Sequence, residues 1–235
     1  MIRKFEESEP EWMDVAETAS PELERDLANL EALNRVYGGH RTVLERLEPI
    51  LREGKPLRIV DLGTGGADVP RLLATRAREL MCPVVITAVD RQGPTLQIAE
   101  KLSGEFPEIR FVRSDVLAFD PGKPFDIVLC NLLLHHLGES DAVRLLRRCR
   151  ELAARAALVT DLRRSRLASA AIFAVTQVVY REAMTRHDAR LSAARAFSFR
   201  ELGKLAVAAG WWGFHHTRCP YFRQALWMDA NQRGR

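Results

Sequence analysis

The chain has 235 residues, which is enough for one large domain or two small ones. Hydrophobic residues make up 47% of it, so it can bury a substantial core, and the composition argues against intrinsic disorder except at the ends. The 35 basic and 31 acidic residues are mixed along the sequence and leave a net charge of +4, so no basic face for nucleic acid is indicated.

Cysteine usage and hydropathy bear on the cellular compartment. The four cysteines are far apart and form neither a CxxC motif nor a Cys/His pair, which fits a reducing cytoplasm and argues against zinc and iron–sulfur sites. Residues 1–11 are charged and lack the apolar core of a signal peptide. The most apolar helical stretch, residues 167–180, is too short to span a bilayer. We therefore expect a cytoplasmic protein with no membrane span.

Residues 1–55 are predicted to form a helical extension or lid. Ser20 can cap a helix that begins at Pro21 and carries leucines at helical spacing. Gly38-Gly39 interrupts this pattern, and a second amphipathic helix follows with apolar residues from Val43 to Ile50. The linker Gly54-Lys55-Pro56 then leads into the rest of the chain.

From residue 56 onward, short apolar strands alternate with helices. This alternation favours a mainly parallel sheet that is covered on both faces. The predicted strands are Arg58–Leu62, Val84–Asp90, Ile109–Arg113, Asp126–Cys130 and Ala156–Thr160, and the predicted helices are Val69–Leu80, Thr95–Ser103 and Asp141–Leu152.

The pattern changes after the fifth strand. An apolar helix is predicted over Leu167–Tyr180, followed by a polar loop at residues 185–188. Ser198 and Glu201 form a capping box that opens a helix ending at Gly210. The last two strands, Trp212–Thr217 and Gln224–Met228, are close enough in sequence to pair as a hairpin. We therefore expect one domain over residues 56–235, with a helical insert at about 163–197.

A glycine-rich turn follows the first strand, in the sequence Asp61-Leu-Gly63-Thr-Gly65-Gly66-Ala67-Asp68. An acidic residue and a glycine turn between a strand and a helix are typical of sites for adenosine-bearing cofactors. A dinucleotide-binding fingerprint, G-x-G-x-x-G/A, requires a small residue at its last position. Counted from Gly63, that position is Asp68, so the sequence does not match this fingerprint. The alternative spacing G-x-G-x-G places Gly63, Gly65 and Ala67 in register. In this turn the chain resembles the class I S-adenosylmethionine-dependent methyltransferases, and the resemblance covers roughly residues 30–229.

Three further strand ends agree with this family. Asp90 ends the second strand and could accept hydrogen bonds from both ribose hydroxyls. Ser114-Asp115-Val116 ends the third strand, where the family recognises adenine, and Asn131 begins the loop that flanks the methyl-donating sulfur. The resemblance implies a Rossmann-like, doubly wound, mainly parallel seven-stranded sheet with a C-terminal antiparallel hairpin. It also implies that S-adenosylmethionine, with S-adenosylhomocysteine as the product, is held by Asp61, Gly63, Thr64, Gly65, Gly66, Asp90, Arg91, Ser114, Asp115, Val116 and Asn131.

A second, shorter resemblance lies before the first strand. The segment from Asn34 to Arg41 is similar to a subgroup of bacterial small-molecule methyltransferases of quinone and polyketide-type pathways. It implies a role in secondary metabolism and would place Asn34, Tyr37 and Gly38-Gly39 near the cofactor.

Methyl transfer to a hydroxyl benefits from a general base, and histidine is suited to this because its pKa lies near neutral pH. We predict two candidate catalytic residues. His135 follows the fourth strand, where its alternative role is to cap or position the loop. His187 lies beside Asp188 in the predicted polar loop, where the alternative is a solvent-exposed pair. Asp161 also lies at the ligand edge, but Asn131 replaces the second carboxylate of metal-dependent catechol-type enzymes, so no metal is predicted.

The acceptor is predicted to be a hydrophobic or aromatic small molecule. The fourth-strand loop lacks the Asn-Pro-Pro-aromatic signature of enzymes that methylate the exocyclic amines of bases or glutamine amides. The apolar stretch Leu167–Tyr180 could line an acceptor pocket or belong to the core, and Trp12, Trp211 and Trp212 stand apart from it. O-methylation is favoured over C-methylation, and exposed tryptophans would suit a homodimer.

Three alternatives stay open. One is an NAD-dependent oxidoreductase, which Asp68 disfavours. Another is a non-catalytic S-adenosylmethionine-binding or regulatory protein on the same fold, and the third is a protein or RNA methyltransferase, which would need a basic groove. The identity of the acceptor and of its methylated atom cannot be read from the sequence.

Overall fold

The computed structural model describes residues 3–6, 8–165, 167, 170, 172 and 182–229. Within the described part of the chain, no helix has the length and apolar character needed to cross a bilayer. Short 3₁₀ turns occur at Trp12–Val15 and Leu134–His136. The helices are α1 (Pro21–Val36), α2 (Gly39–Leu51), α3 (Asp68–Glu79), α4 (Gly93–Leu102), α5 (Glu139–Leu152), α6 (Ala183–Arg195) and α7 (Phe199–Ala208). The strands are β1 (Leu57–Leu62), β2 (Val84–Asp90), β3 (Ile109–Arg113), β4 (Phe125–Asn131), β5 (Ala153–Leu162), β6 (His215–Cys219) and β7 (Arg223–Asp229).

The seven strands form one sheet in the order β3-β2-β1-β4-β5-β7-β6. The first five strands are parallel, whereas β7 runs antiparallel to both β5 and β6. This confirms the predicted Rossmann-like sheet with its antiparallel hairpin. The strand order reverses between β1 and β4, where Asp61 pairs with both Ala88 of β2 and Leu129 of β4. Open α/β sheets bind ligands at such a switch point, outside the carboxyl ends of the strands.

Apolar clusters cover both faces of the sheet. Leu47, Leu51 and Leu73 from α2 and α3 belong to one cluster, and residues of α5 and α7 belong to the other. Trp211 is fully buried in the second cluster, where its Nε1 donates a hydrogen bond to the carbonyl of Leu146 at 2.8 Å. The prediction that Trp211 is one of the exposed tryptophans is therefore wrong. Trp212, by contrast, is 74% exposed. The homodimer stays a prediction.

The N-terminal helices agree with their local signals. Ser20 caps α1 by accepting a hydrogen bond from the Leu23 backbone N–H at 3.2 Å, and Pro21 is the first helical residue. Gly38 has φ = 76°, a left-handed conformation that suits glycine, and it separates α1 from α2. The extension is therefore helical as predicted, while its boundary at residue 55 as a domain limit stays a prediction.

The predicted polar loop at residues 185–188 is wrong, because these residues belong to α6. The side chains of Thr185 and Asp188 are buried and make internal contacts. Asp188 accepts hydrogen bonds from the backbone N–H groups of Trp12 at 2.9 Å and Met13 at 3.1 Å. Thr185 donates to Asp26 at 2.5 Å. The predicted helix Leu167–Tyr180 falls mostly outside the described residues, so the proposed insert stays a prediction.

The C-terminal elements begin and end close to their predicted positions. The capping box is confirmed: Ser198 Oγ accepts from the Glu201 backbone N–H, and Glu201 accepts from the Ser198 backbone N–H. Helix α7 ends two residues before Gly210. The first strand of the hairpin begins at His215, three residues after the predicted Trp212.

Candidate functional site

The carboxyl ends of β1, β2 and β4 open onto a cavity of about 440 Å³. The N-terminal segment, α1 and the turn between β6 and β7 complete its wall. An apolar cavity with a few convergent polar groups is the usual form of a small-molecule site. Its apolar lining includes Met13, Leu27, Leu30, Leu33, Tyr37, Leu133, Leu137, Ile172, Tyr221 and Phe222.

The glycine turn lies against β2, since the backbone N–H groups of Gly63 and Thr64 both donate to the carbonyl of Val89. Gly63 has φ = 75°, and a Cβ at this position would lie 2.6 Å from the Leu133 side chain. Ala67 also has a positive φ, of 57°. This left-handed conformation costs an alanine roughly 1–2 kcal/mol relative to the right-handed one.

Asp61 is buried at the end of β1 and lies at the bottom of the turn. It accepts hydrogen bonds from Thr64 Oγ1 at 2.9 Å and from Asn131 Nδ2 at 3.3 Å. Burial, together with the nearby charges of Asp68 and Asp90, raises the pKa of Asp61 to about 7 despite these hydrogen bonds. The turn is therefore a place where negative charge is crowded.

Asp90, at the end of β2, joins the turn to the start of α4. Its Oδ2 accepts from the Gly65 backbone N–H at 2.9 Å, and its Oδ1 accepts from the Gln92 backbone N–H at 3.0 Å. All the predicted cofactor residues line the cavity except Ser114. Ser114 Oγ instead donates to the backbone carbonyl of Asp115 at 3.2 Å.

The charges in this part of the cavity fit the predicted cofactor. The carboxylates of Asp61, Asp68, Asp90 and Asp115 all line it. S-adenosylmethionine carries a positive sulfonium and a positive ammonium group, so opposite charges would meet there. A Cβ at Gly65 would meet no atom within 4 Å, so the turn also leaves room beside its backbone.

The 3₁₀ turn after β4 places His135 in the same cavity. His135 Nδ1 lies 2.6 Å from Asp161 Oδ1, and the His135 backbone N–H donates to Asp161 Oδ2 at 2.9 Å. Both side chains are almost completely buried. The sequence placed Asp161 at this edge, but its pairing with His135 depends on the parallel contact between β4 and β5.

His136 and two acidic residues of the N-terminal segment lie beside this pair. His136 Nδ1 is 2.7 Å from Asp14 Oδ2. The carboxylate of Glu11 lies between the two rings, 3.8 Å from His135 Nε2 and 3.7 Å from His136 Nε2. We call these five residues, Glu11, Asp14, His135, His136 and Asp161, the histidine–carboxylate cluster.

The electrostatics of the cluster favour a charged imidazole at His136. Burial opposes that charge, but the carboxylates of Glu11 and Asp14 outweigh it and raise the pKa of His136 to about 9. Sequence reasoning missed Glu11 and Asp14 as site residues because they stand in no motif. The sequence signals for the cluster are the His-His pair and Asp161 at the end of β5.

His187 lies elsewhere, on α6, and is not among the residues that line the cavity. Its ring stacks on Trp12 with centroids 4.3 Å apart, and its Nδ1 is 2.8 Å from Asp188 Oδ1. The predicted pairing with Asp188 is present, but the structure does not bring His187 together with His135.

Only some residues of the segment from Asn34 to Arg41 lie at the cavity, and others hold neighbouring helices together. Asn34 and Tyr37 line the cavity, whereas Gly38 and Gly39 are not among the lining residues. Asn34 Nδ2 and His40 Nε2 both lie within hydrogen-bonding distance of Asp68 Oδ2, at 2.8 and 2.7 Å. Asp68, which fails the dinucleotide pattern, thus holds α1 and α2 against the start of α3.

Comparisons with known proteins bear on this site. Residues 59–155 match the family model of a methyltransferase domain. No curated protein sequence matches the chain.

Solved structures resemble the whole fold. Human N-acetylserotonin methyltransferase with S-adenosylmethionine aligns with a TM-score of 0.65 and 15% identity, over 94% of this chain and 59% of that one. A Nostoc punctiforme protein with a provisional O-methyltransferase assignment aligns with a TM-score of 0.64 and 16% identity, over 88% of this chain and 59% of that one. The Synechocystis PCC 6803 magnesium protoporphyrin IX methyltransferase with S-adenosylhomocysteine aligns with a TM-score of 0.58 and 15% identity, over 82% of this chain and 83% of that one.

The chain thus spans about three fifths of the length of the human and Nostoc proteins, and these identities establish the fold alone. The family match covers the turn, the ends of β1 to β4 and the His-His pair. The match therefore supports a methyltransferase domain over residues 59–155, in agreement with the resemblance of the glycine turn and strand ends to the class I S-adenosylmethionine-dependent methyltransferases.

Proposed function

We propose that this protein transfers a methyl group from S-adenosylmethionine to a hydroxyl oxygen of an apolar or aromatic small molecule. The observation that carries the proposal is a shared cavity, because the carboxylate-rich glycine turn and the histidine–carboxylate cluster line the same space. A cofactor held by the first would therefore lie within reach of an acceptor held by the second.

When bound, the cofactor supplies a methyl group that its positive sulfur already activates. The protein's task is to hold the reactants in line and to exclude water. Asp61 and its neighbours in the turn would face the methionine moiety, and Asp115 with Val116 would face the adenine. Asp90 accepts two backbone hydrogen bonds, and a carboxylate has about four acceptor sites, so acceptor capacity remains for the ribose hydroxyls.

The cluster favours an oxygen as the methylated atom. A hydroxyl carries its proton at neutral pH, and its oxygen becomes a strong nucleophile only when that proton is removed. His135, oriented by Asp161, is the residue we propose to act on the acceptor hydroxyl. An activated carbon would need no such buried arrangement of imidazoles and carboxylates. The geometry provides no comparable role for His187.

The wall of the cavity supports an apolar acceptor. Leucines of α1, together with Tyr37, Tyr221 and Phe222, contribute apolar surface. Two of the solved structures above are named for methylation of small molecules, N-acetylserotonin and magnesium protoporphyrin IX. Their sizes differ greatly, so the fold by itself does not select the acceptor.

Cofactor binding is tested by calorimetry with S-adenosylhomocysteine. We expect one site per chain, and we expect Asp90→Ala to weaken binding by roughly tenfold or more. The matched control is Asp126→Ala, which removes a carboxylate from β4 that bonds the Arg58 backbone rather than lining the cavity. Binding of NADH in place of S-adenosylhomocysteine would contradict the proposal and favour the oxidoreductase alternative.

Turnover is tested with methyl-labelled S-adenosylmethionine and paired acceptors. Each pair contains a phenol and the same compound without its hydroxyl. We expect label to enter only the phenols. Tight cofactor binding with no transfer to any hydroxylated acceptor would instead favour a non-catalytic binding protein, and label on carbon would exclude O-methylation.

A further inference from the structure

Three side chains of the histidine–carboxylate cluster direct their free ligand atoms toward one another. Nε2 of His135 and Nε2 of His136 are the ring nitrogens that approach the carboxylate of Glu11. One ligand atom from each of the three side chains lies within 4.8 Å of the other two. We propose that Glu11, His135 and His136 bind a divalent transition-metal ion such as Zn²⁺. This site is separate from the strand-end carboxylate pair whose absence led the sequence analysis to predict no metal.

The spacing of the ligand atoms fits such an ion. Ligands at about 2.0–2.1 Å from Zn²⁺ and at tetrahedral angles lie roughly 3.4 Å apart. The two histidine–glutamate distances are 3.8 and 3.7 Å. The first distance ends on Glu11 Oε1 and the second on Glu11 Oε2, and one ligand atom from each side chain lies within 4.8 Å of the other two. Side-chain rotations that shorten these separations by at most about 1.4 Å would bring three ligand atoms to coordination distance.

Each proposed ligand already has an outer partner that orients it. Asp161 lies 2.6 Å from His135 Nδ1, and Asp14 lies 2.7 Å from His136 Nδ1. A carboxylate accepts hydrogen bonds, so in a neutral imidazole the hydrogen sits on Nδ1 and the Nε2 lone pair is left for the metal. Metal-ligating histidines usually have such carboxylate partners.

The glutamate has an outer partner as well. Ser192 Oγ on α6 donates to Glu11 Oε1 at 2.6 Å. Glu11 is buried, so its carboxylate requires compensation by positive charge, which a metal ion would supply in place of the proton on His136. Two imidazoles and one carboxylate form a donor set that suits Zn²⁺ and related ions.

The position of the site indicates what the ion would do. All three ligands line the cavity, so a coordination position that they leave open faces the acceptor space. Catalytic zinc sites have three protein ligands and such an open position. An acceptor hydroxyl held there would have a lowered pKa and would release its proton to solvent before its oxygen takes the methyl group. With the ion bound, His135 would therefore act on the hydroxyl through the metal and not as the general base itself. This role rests on the proposed methyl transfer, whereas metal binding itself does not.

The test uses the full-length, untagged protein after removal of metal with a chelator and dialysis. Co²⁺ is titrated by visible absorption and Zn²⁺ by calorimetry, without cofactor or acceptor. We expect saturation at one ion per chain, and a weakening of roughly tenfold or more in Glu11→Gln and in His136→Asn. Glu9→Gln is the matched control, because it alters an exposed carboxylate of the same segment and should bind as the wild type does.

Two results of the binding titrations would overturn the metal site. One is the absence of saturable Co²⁺ binding in wild-type protein that still binds S-adenosylhomocysteine. The other is unchanged metal affinity in both ligand variants, which would place the ion elsewhere, for example on the partly exposed Cys219. A third test uses only the wild-type protein. Zn²⁺ should raise its Tm in thermal unfolding, and an unchanged Tm would contradict the site.

The metal site and the proposed function can fail independently. Metal binding without methyl transfer to any acceptor would support the site and contradict the proposed function. Methyl transfer that the metal-free protein performs at the full rate would support the proposed function and remove the ion's proposed role in it.

Discussion

Asp161 contacts His135 through two atoms, receiving the backbone N–H at 2.9 Å and standing 2.6 Å from the ring Nδ1. Because Asp161 lies on β5 and His135 follows β4, the pairing of these two strands sets the direction of the imidazole. Nε2 then faces Glu11 and the cavity. Asp161 is therefore a positioning residue: it orients the His135 ring toward the molecule or ion that binds at its Nε2.

Asp161→Asn should therefore impair turnover more than cofactor binding. The amide keeps one acceptor oxygen but cannot accept from both the backbone and the ring through charged oxygens. We expect kcat to fall roughly 10–100-fold, the range typical for loss of such an outer partner. The dissociation constant of S-adenosylhomocysteine should change less than about twofold.

Rates at saturating acceptor and calorimetry with S-adenosylhomocysteine measure the two effects separately. Asp126→Asn, at the other end of β4, serves as the control for loss of a carboxylate near the sheet. An equal loss of cofactor affinity and turnover in Asp161→Asn would mean that Asp161 supports the fold rather than the imidazole.

Asp61 should make cofactor binding depend on pH. Its pKa is raised to about 7, so below that pH the free protein holds a proton that the positively charged ammonium group of the ligand would displace. With a pKa near 7, the affinity for S-adenosylhomocysteine should rise roughly tenfold between pH 6 and pH 8. Asp61→Asn should bind more weakly and with little dependence on pH, which calorimetry at several pH values would reveal.

The same group should affect stability with the opposite sign. The folded-state pKa lies above the ordinary value of 3.8, so between about pH 4 and pH 7 the folded state binds more protons than the unfolded state. Stability from this group is therefore present at low pH and is lost as the pH rises through 7. At pH 8, Asp61→Asn should raise the Tm of the free protein by a few degrees. A lower Tm at pH 8 would show that the carboxylate is stabilising there.

Asp188 should control attachment of the N-terminal segment. Its two oxygens accept the backbone N–H groups of Trp12 and Met13, the residues that follow Glu11. Asp188→Ala leaves these groups without their acceptor and should cost roughly 1–3 kcal/mol of the free energy of unfolding. Denaturant unfolding measures the loss, and limited proteolysis should cut near residue 12 faster than in the wild type. Unchanged proteolysis would mean that other contacts hold the segment.

His187→Ala tests directly whether His187 is catalytic, as the sequence predicts. The ring is 38% exposed and stacks on Trp12 outside the cavity. From this position we expect kcat to change less than about threefold, against a loss of roughly 100-fold or more in His135→Ala. Comparable losses in the two variants would restore a catalytic role for His187.

Much of the fold could be predicted because its signals are local. The runs Val84–Asp90 and Ile109–Arg113 are apolar and bounded by turn residues, and both coincide with observed strands. The capping box at Ser198 acts over three residues, so it too is contained in the sequence. The polar run at residues 185–188 failed as a loop signal because polarity does not distinguish solvent from a buried hydrogen-bonding partner.

Some features of the candidate site could likewise be predicted from the sequence, and others could not. By itself, the sequence determined the glycine turn and the carboxylates at successive strand ends, because parallel strands necessarily bring their carboxyl ends to one edge. Only the tertiary structure decided that Glu11 and Asp14 meet His135 and His136, that Asp161 orients His135, and that His187 is not among the residues that line the cavity. Those contacts join segments far apart in the chain, and they depend on how the N-terminal segment and α6 pack, which no local pattern encodes.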